Sequence, residues 1–298
     1  MKTFFKKIFI LIIVILICDI VIGKTMAFIT NNIKVGGQAR DNYISNECID
    51  DILIFGSSRA VHHYNAPMLE DSLGMTCYNC GEDGNGIILS YGRLKMIKER
   101  HTPKIIIHDV SPDFDFHLND NHKYLGWLKS RYDKDGIPQI FLDVDKSEKY
   151  KMLSGMYKYN SKFLQNIFSF LTQKAHDTGH KGFRPIPGEM DKMRVAEVEE
   201  GEDIAIDSLK LKYINKFIEE AKGAKLYFVI SPVWYGMNSK DVQYIKEVCN
   251  KKQVKLLDYS CNPKYYHADQ YFSDGSHLNE YGAAEFTRDL IKEIKLDN

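Results

Sequence analysis

The stretch Asp51-Ile-Leu-Ile-Phe-Gly-Ser-Ser-Arg59 constrains this chain more than any other. Its apolar residues run without polar alternation at strand length, which suits a strand buried on both faces of a parallel sheet. Gly56 closes the run and two hydroxyl residues follow, so a tight turn presents a serine at the sheet's carboxyl edge. Open α/β sheets bind their ligands at that edge. Similar runs recur at Met75 to Tyr78, Lys104 to Val110, Leu226 to Ile230 and Val254 to Leu257. Helical patterns separate them: Asn65 to Leu73, a stretch from Ile87, 207 to 221, 240 to 252, and a closing stripe of Leu278, Gly282, Phe286, Leu290 and Ile294 capped by Asn279. This alternation predicts a three-layer, doubly wound (flavodoxin-like) α/β fold with a mostly parallel five-stranded sheet.

A second motif, Ser273-Asp-Gly-Ser-His-Leu278, sets Asp274 and His277 three residues apart just before the last helix. At that spacing a carboxylate can orient an imidazole. A serine hydroxyl is a weak nucleophile at neutral pH and needs such a base within hydrogen-bond reach. Gly56-Ser57-Ser58 and the distant Asp-x-x-His together resemble the SGNH hydrolase superfamily, also called GDSL-like esterases. The likeness is greatest to its membrane-anchored, extracytoplasmic bacterial branch, which acts on cell-envelope polymers.

The resemblance implies Ser58 as nucleophile, with Ser57 the alternative, His277 as base and Asp274 as its orienting acid. It implies oxyanion donors at the Ser58 amide and at a glycine after the second strand. Within Asn79 to Gly86 that glycine is Gly84, with Gly81 the rival. Arg59 reads as an anchor of the turn, and His63 and Asp109 as further auxiliary residues. The chain departs from the family pattern after the third strand, where a Gly-x-Asn is expected and His108-Asp-Val-Ser-Pro-Asp113 stands instead. Losing one oxyanion donor typically costs about 2.7 to 4 kcal/mol of transition-state stabilisation, so either another donor substitutes, with Ser111 and His63 the candidates, or the enzyme is slow or specialised.

The activity implied is a serine esterase or O-acyltransferase acting on acyl esters, acetyl above all, of envelope or secreted glycans through an acyl-serine. The alternative is a catalytically silent glycan-binding or assembly protein on the same fold. No cofactor or metal is called for, since Cys77-Tyr-Asn-Cys80 lacks a second pair; Cys77 reads as packing of a short strand, with a disulfide to Cys80 or Cys48 the alternative. A transferase would draw on a membrane-bound acyl donor protein. Forty basic residues balance forty acidic ones, which leaves no excess positive field of the kind that non-specific nucleic-acid binding requires, so no nucleic-acid partner is expected.

Lys2, Lys6 and Lys7 precede an apolar run from Ile8 to Ile22, which reads as a signal anchor over residues 1–24 that leaves the rest extracytoplasmic on the cytoplasmic membrane. As a helix that run reaches only about 22 Å against a hydrocarbon core of about 30 Å, so the span must extend past Gly23 or be cleaved. Residues 25–50, polar and rich in Asn and Gly, read as a spacer, and 51–298 as the α/β domain. Within it, residues from about 115 to 205 break the strand-helix rhythm and read as an insertion covering the sheet's carboxyl edge. Tyr157, Tyr159 and Phe163 would either stack on sugar rings or pack the insertion, and the acidic run Glu197 to Asp203 reads as a solvated loop.

Overall fold

Five of the apolar runs become strands: β1 (Ile52–Phe55), β2 (Cys77–Asn79), β3 (Ile105–Asp109), β4 (Lys225–Ile230) and β5 (Lys255–Asp258). They form one sheet in the order β2-β1-β3-β4-β5, every pair parallel. The computed structural model describes residues 1–176, 179–191 and 205–297. In chain order, helices α1 (Lys2–Asn32) and α2 (Gly36–Asn46) come before the sheet. Among the first three strands and just after lie α3 (Ser58–His63), α4 (Ala66–Leu73), α5 (Ile87–Lys98) and α6 (Pro112–Asp115). Mid-chain are α7 (Ile137–Val144), α8 (Glu148–Lys151), α9 (Gly155–Tyr159) and α10 (Phe163–Thr172), and α11 (Ser208–Glu220), α12 (Ser239–Lys252) and α13 (Glu280–Leu296) complete the set.

The chain divides into two compact units, residues 46–120 with 178–298 and residues 1–45 with 121–177. The first holds the sheet. Because side chains alternate across a strand, Ile52, Ile54, Ile105, Ile107, Tyr227 and Val229 share one face and pack with Leu69 of α4 and Phe286 and Leu290 of α13. Phe55, His108 and Phe228 point the other way onto Phe217 of α11, with Phe55 and Phe217 ring centres 5.5 Å apart. Helices on both faces of a parallel sheet make the expected three layers. Helix ends follow their caps: Asn65 Oδ1 accepts from Met68 N at 3.1 Å, Gly74 ends α4 at φ 65°, and Asn279 accepts from Gly282 N at 2.9 Å. The order places a topological switch beside β1, since β2 and β3 lie on its two sides, and ligand crevices open at such a point.

Two boundaries differ from the sequence reading. Residues 25–50 are not an extended spacer: α1 runs on to Asn32 and α2 follows, and their polar residues are spent internally. Asn42 Nδ2 donates to Thr30 O at 2.9 Å, Arg131 Nε meets Asp41 Oδ2 at 3.2 Å, and Arg131 also reaches Asn42. Polar composition signalled solvation, whereas these groups satisfy one another in a buried network. The insertion is also shorter than expected. Residues 179–191 belong to the sheet unit, where Asn79 N donates to Lys181 O at 2.9 Å and Arg184 N to Val61 O at 3.1 Å. The acidic run Glu197 to Asp203 lies outside the described residues. Among the described residues no helix is long and apolar enough to cross a membrane. In α1 the apolar run is broken by Asp19 and closed by Gly23 and Lys24.

Candidate active site

The turn after β1 is forced by close packing. Gly56 has φ 139°, and a Cβ there would stand 2.7 Å from Asp109 O and 3.0 Å from Ala60 Cβ, so only glycine lets β1 turn against the end of β3. Ser57 follows in an extended conformation as N-cap and Ser58 opens α3. Beneath the turn, Asp109 Oδ1 accepts from Tyr64 Oη at 2.7 Å and from Ser231 N at 3.2 Å. Its Oδ2 lies 3.4 Å from Arg59 Nε, and Arg59 Nη2 donates to Val110 O at 2.5 Å. Burial and the Asp109 charge push the Tyr64 hydroxyl well above its ordinary pKa, so it stays a donor. Arg59 and Asp109 therefore anchor the turn.

The other motif arrives on the loop before α13. Asp274 Oδ1 accepts from the amides of Ser276 at 2.8 Å and His277 at 2.9 Å, and both carboxylate oxygens lie 3.0 Å from His277 Nδ1. Partial burial works to raise the Asp274 carboxyl, but the imidazole and the two amides outweigh it and hold it below the usual range. His277 Nε2 lies 2.8 Å from Ser58 Oγ. With Nδ1–H facing the carboxylate, Nε2 is free to accept the hydroxyl proton. Ser58, His277 and Asp274 thus meet as sequence reasoning placed them, and Ser57 does not share the contact: its buried Oγ has no hydrogen-bond partner among the described residues.

His63 is fully buried behind the triad. Leu278 N donates to its Nε2 at 3.0 Å, which fixes Nδ1 as the protonated nitrogen, and Nδ1 donates to Ser231 Oγ, also at 3.0 Å. Burial first, then the neighbouring His277 and Arg59, keep it well below its ordinary pKa and hence neutral. His63 ties the loop carrying His277 to the end of β4. With both nitrogens occupied it cannot serve as an oxyanion donor.

A cleft of about 440 Å³ opens over Ser58 and His277, with Arg59, Ser111, Phe114, Val233 and Tyr235 among its walls. That volume suits a small ester or one sugar ring with its acyl group. Gly84 is not among the lining residues; it has φ 67°, and its neighbour Asp83 is drawn away to His62 and Arg184. The rival Gly81 spends its amide on Asn79 Oδ1 at 3.0 Å. Ser111, after β3, has its amide bound to Asp115 Oδ2 at 2.7 Å and lines the cleft.

The far end of the cleft holds a group that sequence reasoning missed. His117 Nδ1 lies 3.0 Å from Asp113 Oδ1 and its Nε2 2.9 Å from Asp241 Oδ1. Burial works to lower its pKa, but the two carboxylates prevail and raise it to about 9. Asp113-x-x-x-His117 was the local half of that signal; Asp241 stands too far along the chain to suggest it.

Cys77 lies inside β2, where burial pushes its thiol well up, and all six cysteines are free. Among the described residues, His122, Asp145 and Glu148 bring potential metal-ligating atoms within 4.8 Å of one another. Lys151 Nζ already sits on both carboxylates, 3.3 Å from Asp145 and 2.8 Å from Glu148. Neither models of known protein families nor curated protein sequences match the chain.

Proposed function

We propose that this protein is a serine esterase or O-acyltransferase acting on acylated glycans through an acyl-serine. The observation that carries the reading is the His277 imidazole, held by Asp274 on one nitrogen and 2.8 Å from the Ser58 hydroxyl on the other. His277 takes the proton from Ser58 Oγ as Oγ attacks the ester carbonyl. It then returns that proton to the departing sugar oxygen, leaving the acyl group on Ser58. Water or a second hydroxyl, deprotonated by the same nitrogen, releases the acyl group and restores the serine. The negative oxygen formed at each attack would be met by the Ser58 amide at the start of α3, with the Ser111 hydroxyl in the role of the absent asparagine. The cleft's aromatic walls at Phe114 and Tyr235, together with the polar groups of Asp113, Asn238 and Asp241, fit a hydroxyl-rich ring.

α1 belongs to the same proposal. Lys2, Lys6 and Lys7 lead into a stretch whose large apolar side chains, from Ile8 to Val21, are exposed along α1. Insertion of that stretch into the cytoplasmic membrane would hold the catalytic unit outside the cytoplasm, where glycan esters and a membrane-bound acyl donor protein are found.

The test is turnover of an aryl acetate by the full chain in detergent. The wild type should release the phenol, and Ser58→Ala should reduce the rate by at least about 10³-fold. A folded wild type with no turnover of aryl acetate or of acetylated glycan would favour the silent glycan-binding protein.

A further inference from the structure

Helix α10 of the smaller unit buries the wrong residues for a surface bathed in water. In α10, Asn166 and Ser169 are each 5% exposed, whereas Leu164, Phe168 and Leu171 are 77%, 57% and 74% exposed. Spaced four and three residues apart, those three lie on one side of the helix. A helix facing water puts its apolar stripe inward. Here two polar residues are turned in and three large apolar ones are turned out, while Phe163, Ile167 and Phe170 are half-buried.

The inward residues of α10 face α1. Asn166 Nδ2 donates to Thr30 Oγ1 at 3.4 Å, and the rings of Phe28 and Phe170 stand 6.0 Å apart, edge to face. One helix earlier, the packing is closer still. A Cβ on Gly23 would come 2.7 Å from Gly155 Cα, so α1 and α9 approach backbone to backbone. Asp19, the single charge inside the apolar run, is fully engaged there: it accepts from Ser154 Oγ at 2.7 Å, Gly155 N at 2.8 Å and Met156 N at 3.0 Å. A carboxylate at the border of a bilayer is costly unless partnered, and the start of α9 supplies three donors. Beside it Leu153 and Met156 are again exposed, as is Phe28 on α1.

We infer that α9 and α10 dock on the lipid surface, with Leu164, Phe168 and Leu171 inserted at the boundary between headgroups and acyl chains. The inference rests on the proposed insertion of α1. The exposed faces of α9 and α10 flank α1 where its apolar run ends, so a bilayer that receives the run meets these side chains at its surface. A short helix with one strongly apolar face lies in that boundary plane. The docking gives the anchor a second point of hold, which a single helix free to swivel would lack.

Doxyl-lipid quenching of a fluorophore tests this on the full chain, reconstituted in vesicles of phosphatidylethanolamine and phosphatidylglycerol. Exposed Cys18 and Cys261 are replaced by serine, and Leu164→Cys or Leu171→Cys carries an environment-sensitive label. A reference chain keeps Cys18 in α1 as its labelled site, and circular dichroism checks that each chain is folded. The labels at 164 and 171 should lose fluorescence to shallow doxyl lipid and resist aqueous iodide. Quenching by iodide at those sites, with Cys18 quenched by doxyl lipid, would overturn the docking and leave the anchor standing. Shielding from both quenchers would overturn it in favour of a protein partner or a second copy. Iodide access at Cys18 as well would remove the anchor and the docking together.

Discussion

Two histidines line the same cleft, each partnered by aspartate, and they are equipped for different work. His277 has one carboxylate on Nδ1 and a serine hydroxyl on Nε2; His117 has a carboxylate on each nitrogen. With one aspartate the imidazole keeps a basic nitrogen aimed at a proton it can take. With two it is held as a cation, which is why its pKa stands near 9, and it has no lone pair to offer. In the proposed mechanism the second partner, more than the type of residue, separates the base from the clamp. His63 makes the same point from behind, where an amide and a hydroxyl fix a neutral tautomer.

The contrast breaks if the two histidines respond alike to substitution. His277→Ala should lower kcat on an aryl acetate by about 10³ to 10⁴-fold, because it removes the base and the orientation of Ser58 together. His117→Gln should leave kcat within about tenfold of the wild type while changing KM for a sugar ester, the signature of a group that binds without entering the chemistry. Comparable losses of kcat in both would mean that His117 takes part in proton transfer.

A smaller effect probes the turn that makes His277 useful. Gly56→Ala puts a methyl group 2.7 Å from Asp109 O at a φ only glycine tolerates. The expected loss is about 2 kcal/mol of stability, read as a fall in Tm of about 4 to 8 °C. Activity should fall with it, as Ser58 shifts from its base.

The smallest effect is a pH dependence that distinguishes the clamp. His117 has a folded pKa of about 9, above the ordinary histidine value near 6.5, so its contribution to stability is complete below about pH 6.5 and is lost as pH rises through 9. Asp113 is exposed, and solvent screening brings the contribution to about 1 kcal/mol, or about 2 to 4 °C in Tm. Thermal melts from pH 6 to 10 should show this slope in the wild type and lose it in His117→Gln. The Asp274 carboxyl, held low, makes the opposite contribution, lost on acidification through its own pKa.

What could be read from the sequence followed from how local each signal was. The five strands, the helices between them and the Ser58 and Asp274-His277 motifs are contiguous patterns, and each appears within a few residues of its expected place. The arrangement of His63 depends on Ser231, and that of His117 on Asp241, each more than a hundred residues away, with no local mark to join them. Asp41, Asn42 and Arg131 misled in the opposite sense. Asp41 and Asn42 fall in the stretch that reads as a spacer and Arg131 in the insertion, yet they bury one another's charges and amides. The oxyanion glycine, Gly84 or Gly81, rests on the family resemblance and a glycine-rich turn, and the cleft is lined from the loops after β3 and β4 instead.

The central claim is that Ser58 is the nucleophile because His277 activates it. The most direct measurement is the site of a fluorophosphonate adduct, mapped by peptide mass spectrometry in wild type and in His277→Ala. The account predicts a stoichiometric adduct on Ser58 in the wild type and almost none in the variant. An adduct on Ser57 or elsewhere, or equal labelling of Ser58 with and without the imidazole, would contradict it.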